Sequence, residues 1–329
     1  MWRKIQRESF TDVGKLADFL ELDQNNRSFL LRNKKFPLLL PRRLAEKISK
    51  NSLDDPLARQ FLPVFAETHK AAGFALDPVS DTSFQKASKL LHKYQGRALL
   101  IACGGCAMNC RYCFRQNFSY EIKRKGFDNE IAYLKSHRDI HEVILSGGDP
   151  LNLSDESLKN LFDELSKIDH IKIIRFHTRF PIGIPERITN SFISLLKEVN
   201  KQIIFVIHTN HARELDDDVL FALQKIRELG IPILSQSVLL YGVNDKVDTL
   251  KDLFFKLIFH GIIPYYLHQL DQVEGATHFE VSPSKGLVLL EELRKEMPGY
   301  AIPSFVCEIP GKQSKTQVTK VTGSLAGTL

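Results

Sequence analysis

The sequence predicts an α/β fold, a partial (β/α)6 barrel preceded by a helical region. Three observations carry that expectation. From residue 97 onward, six apolar, β-branched runs alternate with helix-like segments, the pattern of a parallel sheet with right-handed crossovers. A cluster of polar residues follows each of the six runs at the same place, and barrels of this kind build their active sites at the C-terminal strand ends. Six units are two short of a closed eight-fold barrel, so an incomplete, wide-mouthed one is expected.

Residues 1–95 read as short helical pieces. Phe10–Leu20 is amphipathic at helical spacing, Pro41 stands at a helix start, and Asp55–Pro63 reads as a further short helical turn. Asp77–Thr82 reads as a loop. The six expected strands are 97–102, 142–145, 172–176, 202–207, 231–235 and 262–267. Helices are expected at about 128–136, 155–167, 185–198, 216–229, 247–260 and 284–296. Ser154 and Ser282 stand at N-cap positions and Gly230 and Gly261 at helix stops. The division is an N-terminal helical region (1–95), the barrel (96–300) and a C-terminal segment (301–329).

The chain has 329 residues, 43% hydrophobic and 26% charged, enough for a sizeable core. No apolar run approaches the roughly 20 residues of a membrane span, and Met1–Glu8 has no apolar signal region, so a cytoplasmic protein is expected. A net charge of +6 is modest. The basic runs Arg32–Lys35, Arg42-Arg43 and Lys123–Lys125 read as solvated surface rather than a nucleic-acid groove. Neither membrane nor nucleic acid is an expected partner.

Four of the five cysteines fall between Cys103 and Cys113. Such a cluster makes no disulfide framework and points to metal or catalysis. Cys106, Cys110 and Cys113 form a C-x3-C-x2-C array. Three thiolates on a four-iron cubane leave one iron open to bind and cleave a substrate, whereas a four-cysteine cluster mainly carries electrons. The alternative is zinc, from the pairs Cys103/Cys106 and Cys110/Cys113, but these lie closer together than the two knuckles of a zinc ribbon usually do. Cys103 reads as a strand-end packing residue. Ser146-Gly147-Gly148-Asp149-Pro150 makes a tight turn after the second strand, where glycine lets backbone approach a ligand closely. His177, His208 and His211 stand at strand ends and read as ligand-contacting or structural.

With the cysteine array, that turn resembles the radical S-adenosylmethionine superfamily across residues 97–280, and the fold implied is its TIM-like barrel. The resemblance implies a 4Fe-4S cluster on Cys106, Cys110 and Cys113. It implies S-adenosylmethionine on the open iron, with its amino group held by the turn Ser146, Gly147, Gly148, Asp149. From about residue 50 to 317 the chain also resembles the lysine 2,3-aminomutase family. The stretches concerned are His92–Arg97, Gly104–Arg115, Ser146–Pro150, His177–Thr189, Asp271 with Gly275–Phe279, and the turn ending at Lys315.

What this family resemblance implies is a redox-neutral 1,2 amino shift, L-lysine to (R)-β-lysine, in which S-adenosylmethionine is regenerated. Lys315 would carry pyridoxal 5′-phosphate, with Lys312 in the same turn as the alternative. Tyr94 and Arg97 would lie near that cofactor, although Arg97 also reads as a strand-start surface residue. Arg115 would clamp the substrate carboxylate. Asp271 and Glu308 would take the distal ammonium, Glu308 standing where the long enzymes carry aspartate. The short length and the Ser314-Lys315-Thr316 ending resemble the branch that serves elongation factor P, whose product a lysyl-tRNA-synthetase-like ligase attaches. An external electron donor is implied, and a homo-oligomer is compatible with the sequence. A radical enzyme without pyridoxal phosphate and a non-enzymatic zinc- or nucleic-acid-binding protein remain the alternatives.

Overall fold

A computed structural model describes residues 1–32, 35–120 and 126–319. The basic run Lys123–Lys125, the middle of Arg32–Lys35 and the last ten residues lie outside them. The chain opens with short helices: α1 (Trp2–Arg7), α2 (Val13–Phe19), α3 (Gln24–Ser28), α4 (Arg42–Glu46) and α5 (Pro56–Phe61). Asp12, Asp23 and Asp55 cap three of them, each carboxylate accepting a backbone N–H of the first turn. Ten strands then form one sheet in chain order: β1 (Gln85–Ala87), β2 (Leu90–Tyr94), β3 (Arg97–Cys103), β4 (Glu142–Gly147), β5 (Ile173–Thr178), β6 (Gln202–His208), β7 (Ile233–Val238), β8 (Ile263–His268), β9 (Ser304–Cys307) and β10 (Thr316–Gln317). Helices α6 (Asp128–Ser136), α7 (Asp155–Ser166), α8 (Phe180–Gly183), α9 (Asn190–Glu198), α10 (Asp217–Arg227), α11 (Val247–Phe259) and α12 (Pro283–Glu296) lie between them.

The run from β3 to β9 is parallel throughout, as the alternation predicts. The sheet does not close on itself: β1 and β10 are its edges. All six expected strands and the helices between them are present, within a few residues, and Ser154 and Ser282 are the N-caps of α7 and α12. The expected helix over 185–198 is broken. Pro185–Arg187 forms a 3-10 turn, and Thr189 starts α9 anew by accepting the Phe192 N–H.

Residues 85–94 are strands rather than helix. Gly96, at φ +77°, turns β2 directly into β3, with Tyr94 opposite Arg97. At the other end, β9 adds a seventh parallel strand within the segment set apart as a C-terminal tail. The sheet therefore runs across both expected boundaries.

Strand periodicity decides where the core sits. Along β5, Ile174, Phe176 and Thr178 are buried while Arg175 and His177 are half-buried. Residues two apart share a face, so one face is apolar and the other polar. The apolar face packs on the helices, where the rings of Phe176 and Phe205 stack 4.6 Å apart. Burying a side chain of that size contributes about 2–3 kcal/mol. The polar face lines a cavity down the middle of the barrel.

Candidate functional site

The cavity holds about 610 Å³ and reaches from the cysteine loop at the strand C-termini down to Arg97 and Glu142, the first residues of β3 and β4. Cys106, Cys110 and Cys113 all line it, and Cys103 does not. The Cys103 thiol instead lies 3.2 Å from the carbonyls of Gly105 and Asp149.

The loop is held by the N-terminal region. Asn109 donates its backbone N–H to Leu39 O (2.9 Å) and its amide to Pro37 O (2.9 Å). Arg111, fully buried, donates through Nε to Glu67 (2.8 Å) and through Nη1 to Phe36 O (2.9 Å). Gln6 on α1 reaches the Cys106 carbonyl at 3.2 Å. The helical region thus builds the cysteine loop as well as covering it.

Burial pushes the Cys113 thiol up to about 11, and the Cys106 thiol well above the usual range. Cationic irons would reverse that, since a coordinated thiol is held as thiolate. Among the described residues, no three His, Cys, Asp or Glu side chains converge on one point as a single metal ion requires. The three array thiols line one cavity, which fits a cluster that takes one thiolate on each of three irons.

The glycine turn has a packing reason that close ligand approach alone did not predict. A Cβ on Gly148 would stand 2.4 Å from Gly105 O, and one on Gly147 would stand 2.5 Å from Cys103 O. Both glycines are needed for β4 to dock on the cysteine loop, where Gly148 N donates to Cys103 O (2.8 Å) and Asp149 N to Gly105 O (2.9 Å). Ser146, Gly147, Gly148 and Asp149 also line the cavity. The Asp149 carboxylate is saturated: it accepts from Leu151 N, Thr178 Oγ1, Arg179 N and Phe180 N at 2.7–3.0 Å. Its side chain welds the β4 and β5 ends together.

The opposite wall is a set of charges. Lys315 Nζ donates to Glu308 Oε2 at 3.0 Å. Glu308 Oε1 meets Lys93 Nζ at 2.9 Å and also accepts from the Tyr94 hydroxyl. Burial opposes ionisation of Glu308, but Lys315, Lys93 and Tyr94 outweigh it and hold the carboxyl down to about 2. Lys93 and Tyr94 sit on β2 and Glu308 follows β9, so this carboxylate latches the open sheet across its gap. Lys312 is exposed and off the cavity, whereas Lys315 lines it. Arg97 also lines the cavity, its guanidinium 4.7 Å from the Tyr94 ring centre.

Asp271 faces the cavity differently. Its carboxylate has no hydrogen-bond or ion-pair partner among the described residues, and burial raises it to about 6. Arg115 is buried and already paired, its Nε 2.8 Å from Asp81 and its Nη1 3.5 Å from Ser146 Oγ.

Sequence reasoning missed Asp81, Lys93 and Glu67, all from the region read as short helical pieces, and counted Gln236 and His268 among the strand-end polar residues without a particular role. Gln236 donates to His208 Nε2 (2.7 Å), and its Oε1 lies 3.4 Å from His268 Nε2. Burial depresses His208 to about 3 and holds His177 and His268 well below the usual range, so all three are neutral rings. His177 and His208 line the cavity, while His211 does not and instead caps the following turn. Nothing in the local sequence marks Asp81 or Glu67, because their partners Arg115 and Arg111 are 34 and 44 residues away.

A cavity at the C-terminal strand ends, walled by three cysteines and a glycine turn, defines a radical S-adenosylmethionine protein. The model of that superfamily matches residues 100–253. The solved structure of Streptococcus suis SuiB bound to S-adenosylmethionine shares the fold, with a TM-score of 0.51, 16% identity, and coverage of 66% of this chain and 51% of that one.

Sequence comparison goes further. L-lysine 2,3-aminomutase of Haemophilus influenzae is 39% identical over 96% of this chain and 94% of its own length. That of Escherichia coli is 40% identical over 96% and 93%, and that of Clostridium subterminale 33% over 96% and 77%. The chain belongs to the lysine 2,3-aminomutase family and is an enzyme, an isomerase. Membership in the superfamily brings a 4Fe-4S cluster and S-adenosylmethionine. No helix among the described residues is long and apolar enough to cross a membrane.

Proposed function

We infer that this chain converts L-lysine to (R)-β-lysine with pyridoxal 5′-phosphate on Lys315, and that the product serves elongation factor P. The observation that carries the reading is a meeting of distant stretches. Cys106, Cys110 and Cys113 share one cavity with Asp271, Glu308 and Lys315. An amine beside the cations Lys93 and Arg97 fits a phosphorylated aldehyde. When bound, the cluster and S-adenosylmethionine supply a deoxyadenosyl radical, and pyridoxal phosphate supplies an aldehyde that holds the α-nitrogen.

The chain's own residues then have distinct tasks. Ser146, Gly147 and Gly148 present the turn to S-adenosylmethionine, and Asp149 fixes its shape. Arg115, braced by Asp81, meets the substrate carboxylate with its remaining donors. Asp271, the unpartnered acid, takes the distal ammonium. Glu308 positions Lys315 and Tyr94 rather than completing an acid pair. An external one-electron donor reduces the cluster. Identity supports the elongation factor P branch: it is 39% and 40% to the Haemophilus influenzae and Escherichia coli enzymes and 33% to the clostridial one.

The test is anaerobic turnover by the reconstituted enzyme. L-Lysine should yield β-lysine. Lys315→Ala should lose the visible absorbance of bound pyridoxal phosphate and keep the iron–sulfur spectrum, and Cys106→Ala should lose iron and sulfide. An intact pyridoxal band in Lys315→Ala would move the role to Lys312. In cells, deleting the gene should remove the mass of one β-lysyl group from elongation factor P; an unchanged mass would detach the enzyme from that factor.

A further inference from the structure

Arg179, the residue after β5, is buried and held on both sides. Its Nη1 donates to Cys110 Sγ at 2.8 Å and contacts the Tyr112 hydroxyl. Its Nη2 donates to Gln60 Oε1 and Glu214 Oε2, both at 2.7 Å. Glu214 is itself fully buried and fixed, its Oε1 accepting from Gln60 Nε2 (3.1 Å) and from the N–H groups of Asn210 (3.0 Å) and His211 (3.1 Å). The guanidinium therefore cannot swing away from the sulfur. Among the described residues, Cys110 is the only one of the three array cysteines whose sulfur accepts from a side chain. Such an anchored ion pair is more than a helix or strand end needs, and the amino shift gives it no task.

We propose that Arg179 is a positioning residue that raises the reduction potential of the cluster through Cys110, with Glu214 setting the size of the effect. Reduction adds one electron, taken from the external donor, to the cluster and its three thiolates. A cation and hydrogen-bond donor fixed on one thiolate stabilises the more negative reduced form more than the oxidised form. Hydrogen bonds to sulfur and net charge are the protein's means of setting such potentials. Glu214 partly cancels the guanidinium charge, so removing either member shifts the potential in opposite directions. The inference rests on the reading that Cys106, Cys110 and Cys113 hold the cluster.

The experiment is a potentiometric titration of the reconstituted full-length enzyme with dithionite and mediators, followed by electron paramagnetic resonance, with iron and sulfide quantified in each sample. Arg179→Gln should lower the ratio of reduced to oxidised cluster at fixed potential about tenfold, about 59 mV for one electron. Arg179→Lys should fall between it and the wild type, and Glu214→Gln should shift the ratio upward. A loaded Arg179→Gln variant that titrates with the wild type overturns the inference. If Arg179→Gln fails to load, the other two variants decide, and a Glu214→Gln ratio that does not rise overturns it. A wild-type protein, or a Cys110→Ala variant, whose cluster content contradicts the three-cysteine assignment is a failure of that reading instead.

Discussion

The two ends of the cavity are built in different ways. The cysteine loop is gripped by contacts from remote stretches, several of them buried: Arg111 on Glu67 and Phe36, Asn109 on Pro37 and Leu39, and Arg179 on Glu214 and Gln60. The lysine turn has almost none of this. Gly311, Lys312, Gln313 and Ser314 are exposed, β10 spans two residues, and Lys315 rests on one carboxylate that it shares with Lys93 and Tyr94. A cluster needs its thiols standing in place before it assembles, so a rigid cradle suits it. A site proposed to take an amino acid with two ammonium groups and an anionic cofactor needs charges that can change partners. Asp271, waiting without one, is the clearest sign of that second design.

The sharpest break falls on the cradle. Glu67→Gln leaves the Arg111 guanidinium buried without its carboxylate, and losing one member of a buried pair costs about 3–5 kcal/mol. The urea midpoint of the cluster-free protein should drop accordingly, and iron loading should fall with it. Lys312→Ala, on the exposed turn, should change stability by under about 0.5 kcal/mol. Equal effects from the two variants would erase the contrast between the ends.

Asp271 sharpens the comparison from the other side, through pH. Its carboxyl is raised from 3.8 to about 6 by burial. The unfolded chain therefore binds fewer protons than the native one between roughly pH 4 and pH 6, and stability falls as pH rises through that window. A rise of that size corresponds to about 3 kcal/mol, and the water that reaches a half-buried group cuts it to roughly 1–2 kcal/mol. Asp271→Asn should therefore stabilise the unliganded protein at pH 8, with the gain vanishing toward pH 4, while kcat/KM for lysine collapses. In the unaltered enzyme, kcat/KM for lysine should fall below about pH 6 as the carboxylate is protonated. A stability gain that is the same at pH 4 and pH 8 would refute the unpartnered charge.

How much of this could be read in the chain follows the same division. The barrel was legible because strand and helix periods repeat over six units, and each expected strand lies within a few residues of its place. The cysteine array and glycine turn were legible because their members are neighbours in sequence. The β2–β3 hairpin was not seen, although Gln95-Gly96 between apolar runs is a turn signal. What could not be read is contact across long separations: Asp81 on Arg115, Glu67 on Arg111, and Glu214 on Arg179. A buried acid and an exposed one look alike in a sequence until the fold supplies the partner. Glu308 shows the limit from the opposite direction. Family resemblance gave it an ammonium to bind, and the fold surrounds it with Lys93, Tyr94 and Lys315.

The smallest expected effect isolates that last point. Tyr94→Phe removes one hydroxyl from the Glu308 latch and keeps the ring against Arg97. A hydrogen bond to a charged group contributes about 1.5–3 kcal/mol when nothing replaces it, but Lys93 and Lys315 still hold the carboxylate, so a loss of about 1 kcal/mol is expected. That corresponds to a fall of about 2 °C in Tm for a chain of this size and about fivefold in the affinity of Lys315 for pyridoxal phosphate, read from the visible absorbance. Pairing Tyr94→Phe with Glu308→Gln in a double-mutant cycle separates latch from site. If Glu308 acts through the gap between β2 and β9, the two changes are strongly coupled in Tm. If they add without coupling, Glu308 belongs to the ammonium after all, and Asp271 no longer works alone.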